Sequence, residues 1–223
     1  MTFLRTVCAI VAKDLAAELR TREMLGSMLT FSVLVVVVFS FAFQLRASDV
    51  RVFAPGMLWV TITFAGALGL GRSLAIEQDK GCLDGLLLAP VDRSAIYFGK
   101  LLGNVLFMLA VEVGILPLFV VLFSLPFVQV SILVVVVLGT LGFAGVGTLL
   151  SAIAVNTRAR EVMLPILLFP VALPVIIAAV KATAGVVDGL PYPQWQPWLG
   201  MVVAFDVILI ALSMMTFDYI VEE

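Results

Sequence analysis

Six apolar stretches, each long enough to cross a lipid bilayer, constrain the fold of this 223-residue chain more than any other feature. A helix of about 20 apolar residues crosses a hydrocarbon core roughly 30 Å thick. Hydrophobic residues make up 63% of the chain and charged residues only 13%, a composition outside the soluble range. The sequence therefore predicts an all-α, polytopic integral membrane protein with one transmembrane domain. Its six spans are predicted at residues 27–45, 53–71, 101–126, 130–155, 162–180 and 198–217.

The first 24 residues precede these spans and have a mixed character. Leu4, Val7, Val11 and Leu15 recur at helical spacing, and charged residues fill other positions. This pattern predicts an amphipathic helix over residues 1–24 that lies in the plane of the membrane interface. The charged region is too long for a secretory signal peptide, and no short apolar run with a small-residue cleavage site follows it.

Two spans carry residues that bear on helix packing. The fourth span is rich in glycine, which predicts a surface for close contact between helices. Pro165, Pro170 and Pro174 interrupt the fifth span, so that span is predicted to be kinked or broken. Two interpretations of the prolines stay open, a hinge and a static re-entrant bend.

The distribution of basic residues predicts the orientation of the chain. With six spans, both termini lie on the same side of the membrane. Only Arg46, Arg51 and Lys181 of the 13 lysines and arginines fall on the opposite side. The positive-inside rule therefore places both termini in the cytoplasm.

The sequence lacks the signatures of catalysis. It has no Walker A loop, no HExxH motif, no complete dinucleotide-binding motif, no nucleophile elbow and no histidine. We therefore expect no catalytic site, no metal site and no cofactor held by this chain. If the protein works at the expense of ATP, another chain must bind the nucleotide.

Between the second and third spans, residues 77–100 form one long charged segment on the predicted cytoplasmic side. A short amphipathic helix is predicted within it, from about Cys82 to Leu88. This helix ends before Pro90, because proline disfavours helical geometry in the residue that precedes it. A helix in this place is suited to contact a partner protein below the membrane.

The order of residue types in this segment is E-x-D-x-G-x-L-x-x-L-L-x-x-P-x-x-R-x-x-I-x-x-G-K. It resembles the cytoplasmic loop of ABC-2 type permeases, in which a short coupling helix docks into a groove of the ATP-binding subunit. The resemblance implies polar contacts from the acids and the arginine, and an apolar anchor from the leucines. The residues predicted to form this coupling interface are Glu77, Asp79, Gly81, Leu83, Asp84, Leu86, Leu87, Pro90 and Arg93.

Three further stretches narrow the resemblance to one family. They are RVFAPGMLWV at residues 51–60, the glycine- and proline-rich residues 137–179, and the closing WLGMVVAFDVILIALSMMTFDYIVEE. Together they resemble the membrane subunit of the cytochrome c maturation transporter, the haem exporter protein B family. The resemblance covers nearly the whole chain.

This resemblance implies a bacterial inner-membrane permease of System I cytochrome c biogenesis. The implied partners are a separate ATP-binding subunit, haem-handling membrane proteins, a periplasmic haem chaperone and membrane lipid, with no nucleic acid. Haem is implied as a possible cargo or as the load of the released chaperone, and ATP is bound by the partner subunit. The two ATP-binding subunits need two docking segments, supplied by a homodimer or by another membrane subunit beside this one.

Four residues outside the loop are further candidates for function. Glu112 and Asp206 fall inside apolar spans, where an ionisable group is costly. They fit either a substrate path or packing switch, or a hydrogen-bonded acid that fixes helix contacts. Trp195 lies in the longest loop on the predicted periplasmic side, residues 181–197, and Trp198 lies just beyond it. They fit interfacial anchors, or groups that contact haem or the chaperone.

Two other functions share part of this pattern. An ABC-2 exporter for a lipid, drug or glycan would share the loop motif. A membrane scaffold that tethers haem-handling proteins would not be coupled to ATP. The dependence of the partner's ATP turnover on this chain distinguishes the scaffold from a permease.

Overall fold

The computed structural model describes residues 3–43, 47–79, 92–155 and 160–220, and all of their regular structure is α-helical. This confirms the all-α fold. The helices are α1 (Phe3–Thr21), α2 (Glu23–Phe43), α3 (Ala47–Asp79), α4 (Arg93–Phe123), α5 (Val130–Val155), α6 (Arg160–Val187) and α7 (Tyr192–Ile220).

Six of these helices, α2 to α7, are long and apolar enough to cross a membrane, as the sequence predicts. The first helix, α1, is amphipathic and leads directly into α2. Several helices continue past the predicted span edges, because hydropathy locates the apolar part of a helix and not its ends. The helix α4 begins at Arg93, and α6 continues to Val187. Lys100 and Lys181 therefore lie within helices.

The helix α5 lies at the centre of the bundle and contacts α3, α4, α6 and α7. Its glycines let neighbouring side chains approach closely. Trp59 lies against Gly139, Leu70 against Gly147, and Ile210 against Gly145. The glycine-rich span is thus a packing surface, as predicted. Of the six span-capable helices, α2 and α7 are the least buried within the chain, and their outer sides present apolar side chains such as valine and leucine to the surroundings.

The helix α6 is continuous through Pro165, Pro170 and Pro174. The prediction of a broken span or a re-entrant bend is therefore wrong. Each proline lacks a backbone N–H and leaves one carbonyl of the preceding turn without its helical donor. Burial of α6 against α3, α5 and α7 stabilises the helix in spite of these losses.

A short link joins α6 to α7, much shorter than the predicted loop of residues 181–197. Gly189 has a φ of 70°, in the left-handed region that glycine adopts without strain. The amide of Leu190 donates to the carbonyl of Gly185 at 2.9 Å, which ends the helix. Trp195 and Trp198 consequently lie in the first two turns of α7.

Candidate functional site

The predicted coupling segment lies between the end of α3 and the start of α4. Glu77 and Asp79 are in the last turn of α3, and Arg93 is the first residue of α4. The apolar span of α3 ends at Ser73, so the six residues that follow carry the helix about 9 Å further. The remaining predicted interface residues and the predicted coupling helix lie outside the described residues: Gly81, Leu83, Asp84, Leu86, Leu87 and Pro90.

The start of α4 is held by the amphipathic helix α1. The ammonium group of Lys100 is 2.8 Å from a carboxylate oxygen of Asp14. The Lys100 side chain is 2% exposed and that of Asp14 is 12% exposed. Ile10 packs against Gly99, where a Cβ atom would lie 2.8 Å from the isoleucine. The segment that follows the predicted coupling helix is therefore fastened to α1.

Glu18 fastens the same helix, α1, to α2. One of its carboxylate oxygens accepts a hydrogen bond from the amide of Leu25 at 2.7 Å, in the first turn of α2. A carboxylate there is favourable because helix N-termini carry unpaired N–H groups and a partial positive charge. Between the two helices, Arg22 has a φ of 55°. Asp14 and Glu18, one turn apart, thus contact two different spans.

A polar seam joins α4 to the central helix α5. The Thr140 hydroxyl donates to Glu112 at 2.5 Å, and the Asn104 amide donates to Thr148 at 2.9 Å. The Tyr97 hydroxyl donates to the carbonyl of Gly145 at 3.1 Å. Sequence reasoning singled out only Glu112. Tyr97, Asn104 and Glu112 are spaced by seven and eight residues, which places them on one face of α4. This spacing is the sequence pattern from which Tyr97 and Asn104 could have been predicted.

Glu112 is 3% exposed, and its second oxygen has no hydrogen-bond partner among the described residues. It borders a gap between α2, α3 and α4 that is too narrow for a water molecule and is otherwise apolar, with Met28, Ile62 and Met108 in its lining. A carboxylate in such surroundings is costly unless it is paired. The side chain of Thr140 is thus its main stabilising contact.

Asp206 lies on α7 and faces Gly142 of α5. Its side chain is 4% exposed, and neither carboxylate oxygen has a hydrogen-bond partner in the described part of the chain. A Cβ atom on Gly142 would lie 2.9 Å from the carboxyl carbon and 3.4 Å from Val175 of α6. Asp206 therefore occupies a notch that only glycine leaves open, where α5, α6 and α7 meet.

The two acids lie on opposite sides of the same turn of α5. Thr140, which contacts Glu112, and Gly142, which contacts Asp206, are two residues apart and so about 200° apart around the helix. The acids therefore do not form a paired carboxylate site. In the described part of the chain, no group of three or more acids and cysteines is placed to bind a metal ion.

The two candidate tryptophans differ in their surroundings. Trp195 is 8% exposed and packs against Gly185 of α6, and its ring contacts Tyr192 edge-on with centroids 4.9 Å apart. Trp198 is 36% exposed. Trp195 thus contributes to the contact between α6 and α7, whereas Trp198 is available to lipid or a partner.

The sequence matches the CcmB protein family over residues 5–222. Heme exporter protein B of Rhodobacter capsulatus is 28% identical over 210 residues, which cover 92% of this chain and 94% of that protein. Heme exporter protein B of Pseudomonas aeruginosa is 24% identical over 201 residues, 90% of each chain. The protein of the same name from Paracoccus denitrificans is 27% identical over 175 residues, 78% of this chain and 80% of that protein. A chain with this helical bundle and a family match over almost its entire length belongs to the CcmB family.

Proposed function

We propose that this protein is the membrane permease subunit of an ATP-dependent complex for c-type cytochrome biogenesis in the bacterial inner membrane. The observation that carries the proposal is the CcmB family match over residues 5–222. The relatives named Heme exporter protein B, similar along nearly the whole chain, support a role connected with haem. The six span-capable helices support a permease, and the distribution of basic residues supports cytoplasmic termini.

A separate ATP-binding subunit docks on the segment that joins α3 to α4. Leu83, Leu86 and Leu87 are the apolar anchor, and the flanking acids with Arg93 are the polar rim. This chain does not hydrolyse ATP. Closure of two such subunits on nucleotide displaces the segment, and the displacement enters the bundle through α3 and α4, the two helices that flank the segment and pack against each other.

Within the bundle, the polar seam gives this displacement a route to α5. Three hydrogen bonds along α4 fix it to α5, so the two helices move together more readily than apolar surfaces that can slide. The opposite side of α5 contacts Asp206 of α7. The result at the periplasmic side is transport of haem, or release of a periplasmic chaperone loaded with haem. Trp198 is the aromatic residue we assign to contact with those haem-handling partners.

The chain contains no histidine, so haem, if it contacts these spans, is held without a histidine ligand from this subunit. We assign haem to the role of cargo and not to that of a resident cofactor. Two ATP-binding subunits require two docking segments. A homodimer of this chain supplies both, or a second membrane subunit supplies the other.

The docking step is tested by replacing Leu86 and Leu87 with glutamate. The double variant is expected to lose co-purification of the ATP-binding subunit, because charged side chains cannot fill an apolar groove. Replacement of the same two residues by methionine is the control, since it retains apolar volume. Undiminished assembly and ATP turnover in the glutamate variant would contradict docking at this segment. ATP turnover that is independent of this chain would favour a scaffold.

The intramembrane acids are tested by Glu112→Gln and Asp206→Asn, which remove charge and keep shape. Normal assembly with lost cytochrome c maturation assigns an acid to the working cycle. Lost assembly assigns it to helix packing instead. The two variants need not agree, because Glu112 has a hydrogen-bond partner and Asp206 has none among the described residues.

A further inference from the structure

The acidic and the basic side chains of α1 lie on different sides of the helix. Both acids turn toward the bundle, where Asp14 meets Lys100 and Glu18 caps α2. The basic residues Arg5, Lys13 and Arg20 are all exposed. Lys13 also lies 3.3 Å from Asp14. The outer surface of α1 is therefore basic, although the helix as a whole contains both signs.

A stripe of exposed apolar side chains runs along the same helix. Leu4 is 73% exposed, Leu15 40% and Leu19 58%. Cys8 is exposed between them. The spacings of four, seven and four residues place all four on one face, distinct from the face of Val7 and Ile10 that is buried against the bundle. The helix α1 thus has one face on the protein, one apolar face and one basic face.

Contacts along α1 place it across the end of the bundle. Phe3 meets Phe98 with ring centroids 6.0 Å apart, and Asp14 meets Lys100. Asp14 also lies against Gly103, where a Cβ atom would be 3.6 Å from its carboxylate. Eleven residues of α1, about 16 Å, thus correspond to five residues of α4, about 8 Å, so the helices cross at an angle and do not run side by side. The spans of α2 and α4 begin at Glu23 and Arg93. A helix that crosses α4 within its first three turns and leads into α2 lies near the level where these spans enter the membrane.

We propose that α1 binds anionic phospholipid, with Arg5 and Arg20 at the headgroups and the stripe of Leu4, Leu15 and Leu19 at the acyl boundary. Apolar contact and basic charge together favour an anionic membrane surface. A soluble acidic partner would satisfy the bases and leave the leucines in water. The Asp14–Lys100 ion pair and the hydrogen bond from Leu25 to Glu18 hold α1 in the orientation that turns its apolar and basic faces away from the bundle. The inference does not depend on the cargo of the proposed permease.

The experiment measures which lipid surrounds α1. In the full-length Cys82→Ser variant, a fluorophore on Cys8 reports on its neighbours in nanodiscs of phosphatidylcholine. Nitroxide-labelled phosphatidylglycerol or nitroxide-labelled phosphatidylcholine is added at equal mole fraction. We expect the anionic lipid to quench at least about threefold more strongly, since each basic residue near an anionic surface favours it by about fivefold. High salt should reduce this preference.

Replacing Arg5 and Arg20 by glutamine should lower the quenching ratio markedly, with Lys13, which lies 3.3 Å from Asp14, as the basic residue of α1 that remains. Both side chains are exposed, so the fold should be retained. The high-salt measurement on the protein with Arg5 and Arg20 intact tests the role of their charge without a substitution. A fluorophore on Val207→Cys in a Cys8→Ser, Cys82→Ser background is the control, because this site on α7 is 64% exposed. No preference is expected there.

Equal quenching by the two lipids at Cys8 would overturn the proposal. So would a preference that survives both the double substitution and high salt. A third result, in which the double variant keeps the lipid preference and loses the ATP-binding subunit, would assign the bases to that protein instead. Failure of docking at Leu86 and Leu87 leaves the lipid result unaffected, so the two proposals fail separately.

Discussion

Substitution of Gly142 by alanine tests directly whether Asp206 occupies the notch beside this glycine. The new Cβ atom would lie 2.9 Å from the carboxyl carbon of Asp206 and closer still to one of its oxygens. Real Cβ atoms do not approach other atoms so closely, so α7 must move away from α5 or the carboxylate must leave the notch. Such overpacking costs about 1–3 kcal/mol. Alanine regains up to about 1 kcal/mol through its higher helix propensity.

The expected net effect of Gly142→Ala is a loss of about 1–2 kcal/mol in stability. Thermal unfolding in detergent, followed by the fraction of monodisperse protein, should show a lower midpoint by about 2–4 °C per kcal/mol. Gly56→Ala is the matched control. A Cβ atom at Gly56 meets nothing within 4 Å, so that variant should unfold at the original temperature or slightly above.

A double-mutant cycle identifies the cause. In an Asp206→Ala background the carboxylate is gone, and Gly142→Ala should then behave like the Gly56 control. The coupling between the two substitutions should equal the overpacking cost, about 1–3 kcal/mol. If Gly142→Ala costs the same with and without Asp206, or costs nothing, Asp206 does not occupy the notch and the reasoning is refuted.

Two hydrogen bonds within the bundle give further predictions about stability. Thr140→Val removes the hydroxyl that donates to Glu112, and we expect a loss of about 1–3 kcal/mol in thermal stability, with Thr140→Ser close to the original. The indole N–H of Trp59 donates to the hydroxyl of Thr183 at 3.0 Å across α3 and α6. Thr183→Val should cost about 1–3 kcal/mol of stability and shift the tryptophan fluorescence. Thr183→Ser should do neither. An unchanged melting point in the valine variant would show that this hydrogen bond does not contribute to stability.

The architecture follows from hydropathy because a span has a local signature. Six apolar runs of sufficient length predict six spans, whatever their order of packing. The depth of Glu112 and Asp206 follows in the same way, since both lie inside such runs. The residues that surround these two acids cannot be predicted in this way. Thr140 and Gly142 are far from these acids along the chain, and the sequence alone does not show which helix faces which.

Lys100 shows where local reasoning ends. As a charged residue before an apolar run, it is predicted to belong to the cytoplasmic segment of residues 77–100. The structure pairs it with Asp14, 86 residues earlier, and buries it. The prolines of α6 are a second case. The free-energy cost of proline within a helix predicts a break, but contacts with α3, α5 and α7 outweigh that cost. Such contacts cannot be predicted from the local sequence pattern.

The position of α5 has a consequence for the way the chain is made. Spans are synthesised in order, so Glu112 enters the membrane first and meets Thr140 when α5 follows. Asp206 arrives last, on α7, and finds the notch at Gly142 already formed. Until then the side of α5 that carries Gly142 and Gly145 faces lipid or unfinished protein. A chain that stops before α7 would therefore expose this surface of α5.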